Sequence, residues 1–217
     1  MFNVAGSSLN SGANPMAGQH KYRREMSIIA ASLVLGLAAC FELSDADKSY
    51  NKGVGLLQEG QYEEAIVEFD RTLVLDDSMA AAFHNRAVAE ERTGRLGSAI
   101  KDYTRSIELD PDQVLAYTNR GGIYIQSGNF QRALDDFNRL LLLDNESVSA
   151  HTQLGLALMN LGRSDEALAS LDRAISLDPE SYSAYGNRGI AYSRIGETQL
   201  ALADYGRAIE INPNFGL

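Results

Sequence analysis

Glycine, alanine and bulky apolar residues recur every 34 residues along most of this chain. The glycines of the pattern are Gly60, Gly94, Gly128, Gly162 and Gly196, and the alanines are Ala65, Ala99, Ala133, Ala167 and Ala201. Four residues after each alanine comes a larger side chain: Phe69, Tyr103, Phe137, Leu171 and Tyr205. Self-similarity at a fixed period is the signature of a repeat architecture. The pattern therefore predicts five units without insertions: 46–79, 80–113, 114–147, 148–181 and 182–215.

Each unit has the polar and apolar pattern of two short helices. In the third unit Tyr117, Gly121 and Tyr124 recur at helical spacing, and Gly128 then supplies a left-handed turn that ends the first helix. We expect the second helix to stop at sequences such as Leu109-Asp110-Pro111, because proline disfavours helix in the residue before it. Units of this size cannot bury their apolar faces alone, so stacking of neighbours must form one continuous core.

A small residue occupies the eighth position of every unit: Gly53, Ala87, Gly121, Gly155 and Gly189. With the 34-residue period, these residues resemble the tetratricopeptide repeat (TPR) consensus over residues 46–215. The consensus tryptophan at position 4 is replaced by Ser49, Phe83, Tyr117, His151 and Tyr185. The resemblance implies an all-α fold, a TPR α-solenoid of five helix–turn–helix repeats wound into a right-handed superhelix.

Charged residues at positions 7 and 23 of the units vary together. The pairs are Lys52/Glu68, Arg86/Asp102, Arg120/Asp136, Leu154/Ser170 and Arg188/Asp204. A basic residue at position 7 always accompanies an acidic one at position 23, and in the fourth unit both charges are missing. This covariation predicts a helix-to-helix ion pair inside four of the five units. Exposed pairs of this kind stabilise a fold by about 0–1 kcal/mol, so we expect a structural rather than a catalytic role.

The composition narrows the classes of function. The 217 residues include 19 Lys and Arg against 29 Asp and Glu, a net charge of −10. An acidic chain repels phosphate backbones, so we expect no nucleic-acid partner. Cys40 is the only cysteine and there are three histidines, which leaves no disulfide, no evident metal site and no catalytic set. We therefore expect a binding protein without a cofactor, and not an enzyme.

The first forty residues have the layout of an export signal. Lys21, Arg23 and Arg24 precede an uncharged, mainly apolar run over 26–41, as in secretory signals. The run contains Leu37-Ala38-Ala39-Cys40, which resembles the lipobox of bacterial lipoproteins. The resemblance implies a signal over 1–39, lipidation (including palmitate) at Cys40, and a short tether over 40–45. Met16 is an alternative translation start.

Two alternatives for this segment stay open. The run could be an uncleaved membrane anchor, although a spanning helix needs roughly 20 apolar residues and this run is shorter. The chain could instead be a cytoplasmic TPR adaptor with an unprocessed apolar N-terminus. In the lipoprotein family the residue after the cysteine biases sorting, and Phe41 favours the outer membrane of a Gram-negative host. We therefore expect the chain to be anchored at the periplasmic face of the outer membrane.

In the TPR family, positions 2, 5, 6, 9, 12 and 13 of the first helix line a concave groove. Position 6 carries a ladder of amides: Asn51, Asn85, Asn119, Gln153 and Asn187. Other groove residues implied by the resemblance are His84, Val88, Arg92, Ile125, Met159 and Arg194. Amides offer both donors and acceptors, which suits the backbone of an extended peptide. The competing interpretation is that these amides form hydrogen bonds between helices of the stack.

The last unit raises the question of what covers its outer face. TPR arrays often end in an extra solvating helix, and solenoids usually need a polar terminal cap. We expect Tyr192, Ile195, Ala201 and Tyr205 to be partly uncovered, and a second copy or the envelope partner to cover them, with Phe215 and Leu217 contributing. A homodimer is the simplest solution, and the alternative is that the short tail folds back over this face. Together the patterns resemble envelope TPR lipoproteins, including NlpI-like adaptors of cell-wall enzymes and pilotins of pilus or secretion systems. They predict a lipid-anchored scaffold that binds protein partners.

Overall fold

A computed structural model describes residues 43–214 of the chain. The predicted export signal, Cys40, Phe215 and Leu217 lie outside the described residues. Ten α-helices and no strand occur between residues 43 and 214. They are α1 Asp45–Gln58, α2 Tyr62–Leu75, α3 Ala80–Arg92, α4 Leu96–Leu109, α5 Val114–Gln126, α6 Phe130–Leu143, α7 Val148–Asn160, α8 Ser164–Leu177, α9 Tyr182–Arg194 and α10 Thr198–Ile211. Each predicted unit holds one helix pair, so the all-α repeat fold is confirmed.

Glycine ends the first helix of every unit, as the sequence predicts. The five turn glycines have φ between 72° and 87°, a left-handed conformation that side chains with a Cβ rarely adopt. In the third unit the N–H of Gly128 donates to Ile125 O at 3.0 Å, and the N–H of Asn129 donates to Tyr124 O at 2.8 Å. These two bonds satisfy carbonyls that the end of a helix would otherwise leave unpaired.

A side-chain cap, and not only proline, ends the second helices. In each unit the residue after the helix is extended, and its side-chain oxygen accepts from the backbone N–H two residues later. The Asp144 carboxylate, for example, accepts from Glu146 N at 3.1 Å in a unit that lacks the proline. The residues with this role are Asp76, Asp110, Asp144, Asp178 and Asn212. This Asx turn explains why all five second helices end at the same position.

The small residue at position 8 lets the two helices of a unit approach closely. A Cβ added to Gly121 would lie 2.8 Å from Phe137 Cζ, which is closer than real Cβ atoms come. The same holds for Gly53 against Phe69 at 2.7 Å, and for Gly189 against Tyr205 at 2.5 Å. Phe137 is 1% exposed, so the ring has little room to move away. The predicted contact between the helices at this position is confirmed.

Successive units stack through the second helix of one and the first helix of the next. Position 3 of units two to five is alanine and is buried in each: Ala82, Ala116, Ala150 and Ala184. In the first unit the same position is Lys48, which is exposed. At three of the four junctions the successive first helices (α1 and α3, α5 and α7, α7 and α9) also contact one another, whereas no comparable contact joins successive second helices in the described array. The first helices therefore lie on the inner side of the stack.

The outer face of the last unit is apolar and uncovered within the described residues. Leu202 is 58% exposed and Ile209 is 47% exposed, whereas Ile66 and Leu73, at the same positions of the first unit, are 7% and 9% exposed. Ile195 is also exposed, and Tyr192 and Tyr205 are half-buried. The prediction for Ala201 is wrong, since this position is buried inside every unit.

Candidate functional site

The candidate groove runs along the inner side of the stack, over α1, α3, α5, α7 and α9. All five predicted amides lie on these helices: Asn51, Asn85, Asn119, Gln153 and Asn187. Asn51 is exposed and the other four are half-buried. The sequence prediction treated the ladder as uniform, but the structure divides its members by their hydrogen bonds.

Two of the amides are engaged by tyrosines of the preceding unit. The Asn85 side chain donates to Tyr50 Oη at 3.0 Å, from α3 to α1. Asn119 lies next to the hydroxyl of Tyr103 on α4, where its amide acts to lower the pKa of that tyrosine. These two residues therefore lie in contacts between helices, which is the competing interpretation of the amides in the sequence analysis. Such bonds satisfy polar groups that the stacking of units partly buries.

The other three amides keep their hydrogen-bonding capacity. Asn51, Gln153 and Asn187 form no side-chain hydrogen bond with any residue in 43–214. Gln153 and Asn187 belong to neighbouring units, on α7 and α9. A pair of unengaged, half-buried amides on adjacent helices is therefore present at the fourth and fifth units.

A polar network under the groove fixes the second and third units. The Tyr103 hydroxyl donates to Glu91 Oε2 at 3.0 Å, and the tyrosine is fully buried. Burial, together with the negative charge of Glu91, raises the pKa of Tyr103 well above its usual value. The phenol therefore stays neutral and acts as a donor to the carboxylate. This network occupies the groups that a ligand would otherwise use here.

His84 lies beside this network. Its ring stands edge-on to the ring of Tyr103, with centroids 5.5 Å apart. Its Nδ1 is buried without a hydrogen-bond partner among residues 43–214, and burial lowers the pKa of the imidazole. Because the charged form is disfavoured, His84 contributes a neutral aromatic wall.

Apolar residues line the floor between the amides. Val88 and Ile125, which the sequence predicts for the groove, are half-buried, as are Leu156 and Ile190. The prediction for Met159 needs correction, because this side chain is 3% exposed and packs in the core with Tyr124 and Leu158. Met159 therefore offers no surface to a ligand.

Two arginines stand at the edge of the groove. Arg92 and Arg194 are both exposed. The Arg194 guanidinium donates to Met159 O at 3.1 Å and to Asn160 Oδ1 at 3.4 Å, so it lies across the end of α7. Arg194 is the only charged residue among the groove positions of the last two units.

The predicted ion pairs are present in all four units that carry both charges. Arg120 donates to Asp136 from Nε at 2.9 Å and from Nη2 at 2.6 Å. The sequence could not show that the three arginine pairs are largely buried: the side chains of Arg120 and Asp136, for example, are 14% and 6% exposed, whereas Lys52 of the first unit is 65% exposed. Arg86 and Arg188 also reach back sixteen residues, to Asp70 and Asp172 of the preceding unit. These arginines join adjacent units, which is a structural role.

Two further features are absent from the described array. Between residues 43 and 214 no group of histidine, cysteine and carboxylate side chains could hold a metal ion. No helix in the same range has the length and apolar character of a membrane span.

Comparison with known proteins identifies the family. One tetratricopeptide repeat model matches residues 50–114 and 152–214, and a second tetratricopeptide repeat model matches residues 114–147. No curated protein sequence matches the chain. Because the first model alone covers more than half of the residues, the chain belongs to the tetratricopeptide repeat family.

Solved structures show the same fold. MamA from Desulfovibrio magneticus RS-1 superposes with a TM-score of 0.74 at 17% identity, over 81% of this chain and 99% of that one. YrrB, a TPR protein with an unusual peptide-binding site, has a TM-score of 0.69 at 23% identity, over 76% and 86% of the two chains. A MamA structure labelled MSR-1 gives 0.67 at 25% identity, over 76% and 95%. The fold is therefore the all-α TPR solenoid.

Proposed function

We propose that this chain is an adaptor that binds an extended segment of a partner protein in the groove of its fourth and fifth units. The observation that carries this proposal is the pair of unengaged amides, Gln153 and Asn187, on adjacent first helices. Leu156 and Ile190 lie three residues further along the same helices and supply apolar contact area. Amides that can both donate and accept suit a peptide backbone whatever its sequence.

The N-terminal half of the groove is less suited to the same ligand. Asn85 already bonds to a tyrosine hydroxyl, Asn119 lies next to another one, and Glu91 adds a carboxylate at the groove edge. A backbone placed there would have to displace existing bonds, which lowers the net gain. YrrB, which shares the fold, is a TPR protein with an unusual peptide-binding site, and this supports a peptide as the class of ligand.

Photo-crosslinking tests this assignment in the full-length chain. We would replace Ile190 by p-benzoylphenylalanine, and as a control Val74, which is 86% exposed on the second helix α2. We expect the probe at position 190 to give one discrete adduct from envelope extracts that maps to a single partner segment. The probe at position 74 should not give that adduct. Equal labelling from both positions would contradict the groove.

The envelope location is a separate part of the proposal. We infer from the apolar run over 26–41 and from Leu37-Ala38-Ala39-Cys40 that Cys40 is lipidated and anchors the adaptor to the membrane. In cells fed radiolabelled palmitate, the wild-type chain should carry label and Cys40→Ser should not. An unlabelled wild-type chain in the soluble fraction would favour the cytoplasmic adaptor instead.

We further propose that two copies associate through the exposed face of α10. Leu202 and Ile209 present apolar surface, and a two-fold contact covers the same patch on both chains. A head-to-tail contact with the first unit is disfavoured, because Lys48 stands there in place of the alanine that every inner junction buries. Burying this ammonium, together with its exposed partner Asp45, against leucine and isoleucine would cost the hydration of two charges.

A further inference from the structure

The positive charge of Arg194 is held in place at the groove without a neighbouring acid to balance it. Its guanidinium donates from Nη1 to Met159 O at 3.1 Å and from Nη2 to Asn160 Oδ1 at 3.4 Å. Both acceptors are neutral, and Arg194 forms no ion pair with any residue in 43–214. The two bonds therefore fix the position of the guanidinium across the end of α7 but leave its charge uncompensated.

The other arginines of the fourth and fifth units are placed differently. Three of them, Arg163, Arg188 and Arg207, each pair with at least one carboxylate. Arg173 has no such partner within the described residues, but it lies on the second helix α8 and so outside the groove. Arg194 is therefore the cation that a ligand in this part of the groove would meet.

One edge of the Arg194 guanidinium keeps its hydrogen-bonding capacity. In four other arginines, Nε and Nη2 donate together to the two oxygens of one carboxylate: Arg86, Arg120, Arg163 and Arg188. Nε of Arg194 donates to no residue in 43–214, and its Nη2 has a second hydrogen beyond the one directed at Asn160. This edge is the one that takes a carboxylate in two bonds elsewhere in the same chain.

We propose that Arg194 binds a single carboxylate of the partner segment, so that the groove selects an apolar segment with one acidic group. This inference rests on the proposed function of the groove and adds the chemistry that its ligand must have. The carboxylate accepts from Nε and Nη2 and balances the charge of the guanidinium. Because the amides Gln153 and Asn187 suit any peptide backbone, Arg194 is the residue that makes the groove selective.

Two features limit the ligand to one singly charged group. The groove positions of the fourth and fifth units contain no second cation, so a phosphate group or a run of acidic side chains would keep uncompensated charge. The net charge of −10 also repels polyanions in general. Ile190 lies one turn before Arg194 on α9, so we expect an apolar residue of the ligand within about two positions of the acidic one.

A library of random peptides, screened against the full-length chain in detergent, tests this selectivity. Peptides displayed through their C-termini offer side-chain carboxylates alone, whereas peptides displayed through their N-termini also offer a free C-terminal carboxylate. We expect the wild type to enrich Asp or Glu at a fixed place beside an apolar residue, or to enrich peptides that bind only with a free C-terminus. Either result supports the proposal and identifies the source of the carboxylate. Arg194→Gln should show neither preference.

The most strongly enriched peptide would then be synthesised and titrated into each protein. Replacement of its carboxylate by the amide should weaken binding to the wild type at least tenfold, because two charge-assisted bonds are lost, and binding to Arg194→Gln less than twofold. This comparison of two peptides on the wild type decides the question even if Arg194→Gln fails to fold. Arg194→Lys, which keeps the charge but not the planar fork, should have an affinity between those of the wild type and Arg194→Gln.

Arg92→Gln is the matched control, since Arg92 is the exposed arginine at the same position of the second unit, and it should change the affinity less than twofold. Equal losses in Arg92→Gln and Arg194→Gln would overturn the proposal. Enriched peptides that lack a carboxylate, and whose binding is lost in Gln153→Ala/Asn187→Ala, would overturn the role of Arg194 and leave the groove intact. If no peptide is enriched, or if the peptides bind that double variant with wild-type affinity, the groove itself is contradicted and the role of Arg194 with it.

Discussion

The Arg120 guanidinium and the Asp136 carboxylate form a two-bond ion pair that is mostly shielded from water, with side-chain exposures of 14% and 6%. The pair joins the two helices of the third unit, and the remaining arm of Arg120 bonds to Thr104 of the unit before. Such a pair differs from a surface salt bridge because each partner needs the other to compensate its lost hydration.

Removal of the arginine should therefore lower the free energy of unfolding by more than the about 0–1 kcal/mol that is expected of an exposed pair. Arg120→Ala should lower the free energy of unfolding by about 3 kcal/mol, since it leaves a buried carboxylate without its cation. Arg105→Ala is the matched control, because Arg105 pairs with Glu108 at an exposed site and should lose less than about 1 kcal/mol. Urea unfolding of both variants checks this; equal losses would contradict the buried character of the pair.

The adjacent glycines of α5 offer a second comparison. Gly121→Ala should destabilise the fold by about 1–3 kcal/mol, because its Cβ would meet the buried ring of Phe137. Gly122 has no atom within 4 Å of an added Cβ, so Gly122→Ala should stabilise the helix by about 0.5–1 kcal/mol. Thermal melting of the two variants gives the signs directly. A loss of similar size from both would show that the contact with Phe137 does not limit this position.

The stability of the stack is predicted to depend on pH through Glu90. Burial, together with the negative charge of Asp102, raises the pKa of Glu90 to about 7, and its Oε2 has no hydrogen-bond partner among residues 43–214. A carboxyl whose pKa is raised on folding stabilises the fold below its unfolded pKa, and that stability is lost as the pH rises through about 7. Between about pH 4 and pH 8 the wild type should therefore lose about 1 kcal/mol relative to Glu90→Gln, since partial exposure reduces the effect.

Chemical unfolding of the wild type and Glu90→Gln across this pH range checks the prediction. The other groups titrate in both proteins, so the difference between the two curves isolates Glu90. Parallel curves would contradict it, as would a gain in the stability of the wild type relative to Glu90→Gln with rising pH.

The proposed association through α10 predicts a change of mass on one substitution. Light scattering would be measured in detergent, at less than one chain per micelle. The wild-type chain should have the mass of a dimer under these conditions. Leu202→Glu should have the mass of a monomer, because a carboxylate cannot be buried in the contact. Val74→Glu, at the exposed and opposite part of the array, should leave the dimer intact. A monomeric wild type at high micromolar concentration would contradict the contact.

Comparison of the units within one sequence predicts most of the fold, and the exceptions have physical causes. The period locates every helix pair, and the joint loss of charge at Leu154 and Ser170 marks the ion pairs of the other units. The same comparison could have found the backward contact from Arg188 to Asp172, which also spans sixteen residues. Glu90 could have been noticed as the one acid at a position that is otherwise leucine or tyrosine.

The state of the amide ladder could not be predicted in this way. Whether an amide is free depends on the side chain that the preceding unit places against it, and Tyr50 lies 35 residues before Asn85. Met159 is likewise hidden because Leu158, Tyr124 and other neighbours pack around it, although its position in the unit is that of a groove residue. Such features depend on pairs of variable positions, which a repeat consensus does not describe.

The affinity of the partner segment for two groove variants tests the central claim most directly. The segment mapped by crosslinking from position 190 would be made as a peptide and titrated calorimetrically into the full-length chain. Gln153→Ala/Asn187→Ala should weaken binding at least tenfold with an unchanged melting temperature, because both unengaged amides are lost. Asn85→Ala, whose amide is already bonded to Tyr50, should change the affinity less than twofold. Wild-type affinity in the double variant, or an equal loss in Asn85→Ala, would contradict the proposal that the fourth and fifth units form the binding site.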